Sequence, residues 1–366
     1  MSPSNSLTGS AESNPPLSSR KLVIAASERV LITGATGFIG SRVVQALFRF
    51  GFRDLVCLAR STSDRSRLDA VERPADARLK VVTGNLLSPK DCAAAAAGAA
   101  AIIHLAAGGS DKSYPDAFMN CVITTRNLLE AGLQAGCLRR FVNISSFAVY
   151  SNREKQGRLL DESSPMESRP ELRDAYCFAK IKQDELVADY GRRGGFSHVI
   201  VRPGSVYGPG KGGIPSRIGI DTFGLFLHLG GGNRIPFTYV DNCAEAIVLA
   251  GLSAGVEGEV FNVVDDDLPS SSKFLRLYKR RVKDFSSVYM PHWASYIFCW
   301  AWERYSDWSE GQLPPVFNRR RWHALWKSSR YSNEKLKTRV GWSPTVATPE
   351  GLDRYFESCR KRDALA

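Results

Sequence analysis

The run Val30-Leu31-Ile32 followed by Thr33-Gly34-Ala35-Thr36-Gly37-Phe38-Ile39-Gly40 constrains this chain more than any other stretch. A short apolar segment that ends in glycine and passes into Phe38, Ile39, Val43, Val44 and Leu47 at helical spacing reads as strand, tight turn, helix. Such a turn suits a dinucleotide. Gly34 permits the bend, Gly37 lets the backbone approach a pyrophosphate, and Gly40 lets the helix lie close on the sheet. Thr36, Phe38 and Ile39 complete the expected cofactor turn, and the helix N-terminus offers N–H groups to the anion. The spacing is G-x-x-G-x-x-G, and in a chain with 31 glycines the pattern alone is weak. Its weight comes from the strand and helix signals on the correct sides.

Asp54 to Arg60 forms a second apolar strand, and the ribose-binding position of a dinucleotide fold falls at its end, about 20 residues past the last glycine. An acidic residue there would hold the ribose hydroxyls of NAD. This chain has Arg60, with Arg65 and Arg67 nearby. A guanidinium pairs bidentately with a 2′-phosphate, so NADP(H) is expected over NAD(H). Arg60 stacking on adenine is the alternative, and it favours neither cofactor.

Residues 78 to 83 form a third strand, followed by Asn85 and Leu86 and an alanine-rich helix. Residues 100 to 107 form a fourth, whose end at Leu105, Ala106 and Ala107 is small enough for backbone contact with a cofactor. His104, alone in that strand, reads as a hydrogen-bonded core histidine. A helix is expected over 114 to 135, then a fifth strand from Arg139 to Ser146. Strands alternating with helices argue for a parallel sheet covered on both faces.

Tyr176-Cys177-Phe178-Ala179-Lys180 opens the next helix and places phenol and amine one turn apart on one face. A nearby ammonium favours the phenolate, which suits proton exchange with a hydroxyl or carbonyl while a nicotinamide exchanges hydride. Tyr207 with Lys211 and Tyr331 with Lys335 have the same spacing. Gly208-Pro209-Gly210 bars a helix in the first, and the second lies beyond the sheet-forming part. Only Tyr176 and Lys180 follow the fifth strand, whose end offers the Ser146 hydroxyl.

Taken with Arg202-Pro203-Gly204-Ser205-Val206-Tyr207-Gly208, Tyr239-Val240-Asp241-Asn242 and Val340-Gly341-Trp342-Ser343-Pro344, these motifs resemble the extended short-chain dehydrogenase/reductase family, the NAD(P)-dependent epimerase/dehydratase group. The likeness runs from residue 29 to about 355 with the motifs in family order. It implies a Rossmann doubly wound parallel sheet with a smaller, mainly helical C-terminal substrate lobe. It also implies Ser146, Tyr176 and Lys180 as the catalytic triad, with Lys180 holding the nicotinamide ribose. By the same likeness Pro203 to Val206 line the nicotinamide site, Asn85 and Leu86 lie near adenine, and the protein is a homodimer.

Departures narrow the chemistry. Phe147 and Ala148 stand where sugar dehydratases of this family carry an acidic pair, so dehydration is not expected. Ile235 replaces the arginine of many sugar-nucleotide members, with Arg234 one place early, a layout closer to the 3β-hydroxysteroid and sterol dehydrogenase branch. Asp241 reads as structural, fixing a loop. The expected activity is an oxidoreductase acting on a secondary alcohol or ketone, sterol-like or otherwise apolar. A nucleoside-diphosphate-sugar epimerase with retained cofactor and a non-catalytic dinucleotide sensor are the rivals.

The expected organisation is a disordered leader over 1–28 and a dinucleotide domain over 29–205 completed by 237–265. The substrate lobe follows from 206–236 and 266–355, with a tail over 356–366. The aromatic run Val288 to Trp302, between Arg280, Arg281 and Lys283 on one side and Arg319-Arg320-Arg321-Trp322 on the other, either roofs an apolar pocket, packs on the lobe, or contacts a membrane peripherally through 288–322. Net charge is +12 without a basic stripe carrying interleaved aromatics, so no nucleic-acid partner is expected. The eight cysteines are scattered with no C-x-x-C pair, which points to reduced residues in a cytoplasmic protein and to no metal site.

Overall fold

The computed structural model of the chain describes residues 21–107, 113–153, 157–222, 224–310, 312–313 and 315–364. Seven strands form the central sheet: β1 (Arg29–Thr33), β2 (Asp54–Ala59), β3 (Arg78–Thr83), β4 (Ala99–His104), β5 (Arg140–Ile144), β6 (Ser197–Pro203) and β7 (Val260–Val263). Their spatial order is β7-β6-β5-β4-β1-β2-β3, and every adjacent pair is parallel. The order reverses between β1 and β4, where Thr33 pairs with His104. A crevice therefore opens beyond the carboxyl ends of these two strands, the place where such sheets bind ligands.

Both faces of the sheet are covered, which is why β4 and β5 carry no exposed position. On one face the helices Phe38–Arg49 and Val240–Leu252 bury Val43, Leu47, Ile247 and Leu249 against Val30, Ile32 and Ile103. On the other, Leu128, Leu129 and Val187 pack on Leu31, Ile102 and Phe141. The helix expected over 114 to 135 is interrupted by a wider π-type turn at Met119–Ile123, between Tyr114–Phe118 and Thr124–Ala135. The next long helix, Ala175–Arg193, begins where the Asp174 carboxylate accepts the Cys177 N–H at 2.8 Å.

The smaller lobe holds the helices Ser271–Arg281, His292–Trp308 and Arg319–Leu325, as expected. It also holds a sheet of three short strands, Gly219–Thr222, Leu225–His228 and Ser287–Tyr289, that the sequence reading did not include.

Two boundaries need correction. Residues 1–20 of the expected leader lie outside the described residues, but the segment from residue 21 is placed: Val23 N–H donates to Leu252 O at 3.0 Å, and Ile24 is buried in the core. At the other end, the expected break at 356 falls inside the helix Thr348–Asp363, whose Leu352, Tyr355, Phe356 and Cys359 join the main core. Residues 365 and 366 lie outside the described residues.

Candidate active site

A cleft of about 820 Å³ opens at the reversal point of the sheet. One wall is the glycine turn. Gly34 has φ +72°, and a Cβ there would stand 2.8 Å from Ala106 N. A Cβ on Gly40 would stand 2.1 Å from Gly34 O, so these two glycines close the turn and seat the helix. Gly37 is different, because it is exposed, has an ordinary φ of −76°, and caps the helix without a side-chain hydrogen bond. Its bare backbone faces the cleft at an uncapped helix N-terminus, an arrangement that fits a pyrophosphate. Phe38, Ile39, Leu105 and Ala107 extend this wall.

The opposite wall carries Ser146, Tyr176, Lys180, Pro203 and Val206. Ser146 follows β5 and starts a single 3₁₀ turn, its oxygen accepting the Ala148 N–H at 3.1 Å. Its own O–H is thereby left to donate, and a hydrogen bond from Ser146 favours the Tyr176 phenolate. Burial outweighs that effect and pushes the phenol up to about 12, with Asp174 and Asp184 adding to the rise.

The expectation that the Lys180 ammonium draws Tyr176 down is not met. Burial lowers the Lys180 pKa, and its Nζ donates to Ile144 O at 2.7 Å and Gln183 Oε1 at 2.8 Å. Two of its three N–H groups are thus committed to protein, and the third remains for a hydroxyl in the cleft. Beneath it Asp184 ties the site together, accepting from Asn143, Ser145 and Arg202.

The other expected cofactor residues lie apart from the lining. Thr36 sits within the glycine turn, and the Ala106 N–H donates back to Thr33 Oγ1 at 3.3 Å. Asn85 spends its side-chain oxygen on the Leu87 N–H, while Leu86 packs on the second face of the sheet. Arg60 is exposed at the end of β2, whereas Arg67 lines the cleft and donates to Gly210 O at 2.8 Å. Sequence reading missed Lys211 and Tyr355, which also line it. The Tyr207 to Lys211 segment is non-helical as expected, yet the loop that breaks the helix is what carries Lys211 over Phe38, 5.6 Å from the ring centroid.

His104 is a core residue as expected, held between Thr33 and Thr125. Arg234 turns away to Leu268 O. Asp241 pairs with Arg42 at 3.5 Å, and the loop-fixing carboxylate is instead Asp265, which accepts from Tyr239 N and Asn242 Nδ2.

The model of the NAD dependent epimerase/dehydratase family matches residues 30–263. The chain belongs to that family. As a member it is an enzyme of the extended short-chain dehydrogenase/reductase type. Over 352 residues it is 25% identical to the 3beta-hydroxysteroid-dehydrogenase/decarboxylase isoform 1 of Arabidopsis thaliana, covering 90% of this chain and 79% of that protein. It is 23% identical to the decarboxylating sterol-4-alpha-carboxylate 3-dehydrogenase of Mus musculus, covering 92% of each. Its fold is similar to that of the dTDP-glucose 4,6-dehydratase DesIV from Streptomyces venezuelae, solved with NAD and TYD bound. The TM-score is 0.69 at 23% identity, over 92% of this chain and 98% of that one. The family member described here thus pairs a dinucleotide-shaped cleft with a Ser, Tyr and Lys set on its far wall.

Proposed function

We propose that this family member transfers hydride between NADP(H) and a secondary alcohol or ketone on an apolar, sterol-like skeleton. The observation that carries the reading is the pairing of Ser146 and Tyr176 on the cleft wall facing the glycine turn. A bound nicotinamide supplies the ring that gives or takes the hydride.

The protein's part is proton handling and placement. Ser146, its oxygen already accepting from Ala148, donates to the substrate oxygen and aligns it with the phenol. Tyr176 passes a proton to a ketone oxygen during reduction, or takes one from an alcohol during oxidation. With a phenol pushed up to about 12, donation suits the resting state. Lys180 holds a ribose hydroxyl with its third N–H, and Gly37 and the first helical N–H groups hold the pyrophosphate.

Two observations support the substrate class. No carboxylate lines the cleft among the described residues, so acid and base for eliminating water are lacking. Beyond Tyr176 the lining includes Val206, Tyr207, Ile214, Pro215 and Tyr355, area suited to hydrocarbon, with Ser205, Lys211 and Ser216 as its polar members.

The test is turnover of a panel of steroid and other apolar secondary alcohols with NADP, in wild type and Tyr176→Phe. Oxidation by wild type and a loss of ~10²–10⁴ in kcat for the variant, with cofactor binding kept, is the expected result. Cofactor that co-purifies tightly as NAD(H), with sugar-nucleotide epimerisation and no net redox change, would replace this reading with an epimerase. Cofactor binding without turnover of any panel member in wild type would replace it with a sensor.

A further inference from the structure

The helix His292–Trp308 is built inside out for a protein in water. Its buried residues are Ser295, Cys299 and Ser306, and they meet the lobe through small contacts and hydrogen bonds. Ser295 Oγ accepts the Trp322 indole N–H at 2.9 Å, and Cys299 packs with Leu229, Trp322 and Trp326. Tyr296 and Trp302 pack on Trp322 and Phe317, but other large apolar side chains point away from the lobe: Trp293 is 69% exposed and Trp308 76%. At 100° per residue, Trp293, Ile297, Trp300, Arg304 and Trp308 fall within an arc of about 80°. Phe298 and Tyr305 lie to one side of the arc, and exposed Val288 and Tyr289 precede the helix. Tryptophan is among the residues least often left this open, and a continuous apolar face of this kind marks a surface that is normally covered.

We propose that this face docks on a membrane surface bearing anionic lipid headgroups, lying along it without crossing. Seventeen residues span about 26 Å as a helix, short of the hydrocarbon thickness. Among the described residues no helix is long and apolar enough to cross a membrane. The composition is that of an interfacial depth, with three indoles and two phenols beside Phe298 and the aliphatic Val288 and Ile297.

The charge is complementary. Arg304 stands inside the exposed arc and forms no ion pair among the described residues. Exposed Arg280 and Lys283, also outside any ion pair, lie shortly before Val288. Asp307 and Glu310 are confined to the C-terminal end, and Glu303 is neutralised by Arg319 at 2.6 Å. Of the cations singled out by sequence, Arg319 is held by Glu303 and Arg320 by buried Glu167 at 2.5 Å, whereas Arg280 and Lys283 remain available.

The test is co-sedimentation of the full chain with phosphatidylcholine vesicles, with and without phosphatidylserine, alongside light scattering without lipid. Wild type should pellet with the phosphatidylserine vesicles and more weakly with phosphatidylcholine alone. Trp293→Gln combined with Trp308→Gln should weaken both by about tenfold or more. Arg304→Gln should weaken binding about fivefold on the anionic vesicles only. All three side chains are exposed, and circular dichroism checks that the variants stay folded. Wild type remaining in the supernatant with both vesicle types, or a double variant that pellets as well as wild type, overturns the proposal. So does reversible self-association that the double variant abolishes, which would make a second copy of the chain the occupant.

Discussion

The Lys180 ammonium donates to Gln183 Oε1 at 2.8 Å, and this contact is the first link of a buried chain that ends beneath the glycine turn. Gln183 Nε2 donates to Thr125 Oγ1 at 2.8 Å, and the Thr125 hydroxyl is itself spent on the Cys121 carbonyl. His104 Nε2, 2.9 Å from the same oxygen, must therefore donate to it. That leaves His104 Nδ1 to accept the Thr33 hydroxyl at 2.7 Å, while Thr33 Oγ1 accepts the Ala106 N–H. Every direction is determined, with a neutral imidazole of one tautomer at the centre. The wall carrying Lys180 and the wall carrying the glycine turn are thus set by one network.

Gln183→Leu keeps the volume and removes the acceptor. The buried ammonium is then less favoured, so the Lys180 pKa, already lowered by burial, falls further. The activity that needs the ammonium should disappear at lower pH, moving the alkaline limb of the kcat/KM profile downward, with a loss in kcat of ~10–100-fold. Gln183→Glu should move the limb upward. Profiles that coincide with wild type in both variants would reduce Gln183 to a packing residue.

The same histidine makes stability depend on pH. Burial holds His104 down at about 3, against 6.5 for an exposed imidazole. As pH falls below 6.5 the unfolded chain takes up a proton that the folded one refuses, so this contribution to stability is lost progressively down to about pH 3. By pH 5 the loss is about 2 kcal/mol. Asp265, pushed up to about 7 by burial, acts in the opposite direction, so the comparison must be with His104→Gln, in which Asp265 is unchanged. Denaturant melts should show the wild-type advantage over His104→Gln shrinking between neutral pH and pH 5. A constant gap would mean the imidazole titrates normally.

What the chain disclosed in advance was local. Gly34, Gly37 and Gly40 sit within one turn, Tyr176 and Lys180 within one helical turn, and Ser146 at a strand end, so spacing read with the neighbouring strand and helix signals picks them out. Lys211 and Tyr355 reach the cleft from segments far along the chain, and no spacing rule links them to Tyr176. Leu22 to Ile24 are too few to register as an element, yet they gain a place by packing beside Leu252. The error over Tyr176 was one of environment: an i, i+4 lysine is visible in sequence, but the depth of burial and the competing acceptors at Ile144 and Gln183 are not.

Cofactor choice separates two arginines. Arg60 is exposed where a 2′-phosphate would lie in a fold of this order, while Arg67 reaches the cleft by bonding to Gly210 O. Arg60→Asp should weaken NADPH by ~10–100-fold and spare or improve NADH, since only the phosphate contact is lost. Arg67→Ala should weaken both cofactors alike, because it frees the 210 loop. Fluorescence titration of the two cofactors measures each, and a wild type that already prefers NADH would end the NADP(H) assignment.

The glycines of the turn divide folding from binding. At Gly40 a Cβ would press on Gly34 O at 2.1 Å, so alanine there forces the helix off the turn, and at Gly34 it would press on the Ala106 backbone at a positive φ, straining the bend against the end of β4. Gly40→Ala should cost several kcal/mol, of the order of other overpacked core sites (~1–3 kcal/mol or more), and lower Tm. At Gly37 the backbone already suits alanine, and the nearest atom to a new Cβ is Gly34 O at 3.1 Å, with open cleft on the other side. Gly37→Ala should therefore melt within about 1 kcal/mol of wild type while its methyl occupies the space that a pyrophosphate needs. NADPH affinity should fall by about tenfold or more, because a one-carbon obstruction lengthens several charge-assisted hydrogen bonds at once. Equal affinity in Gly37→Ala and wild type would show that the dinucleotide does not lie over this turn.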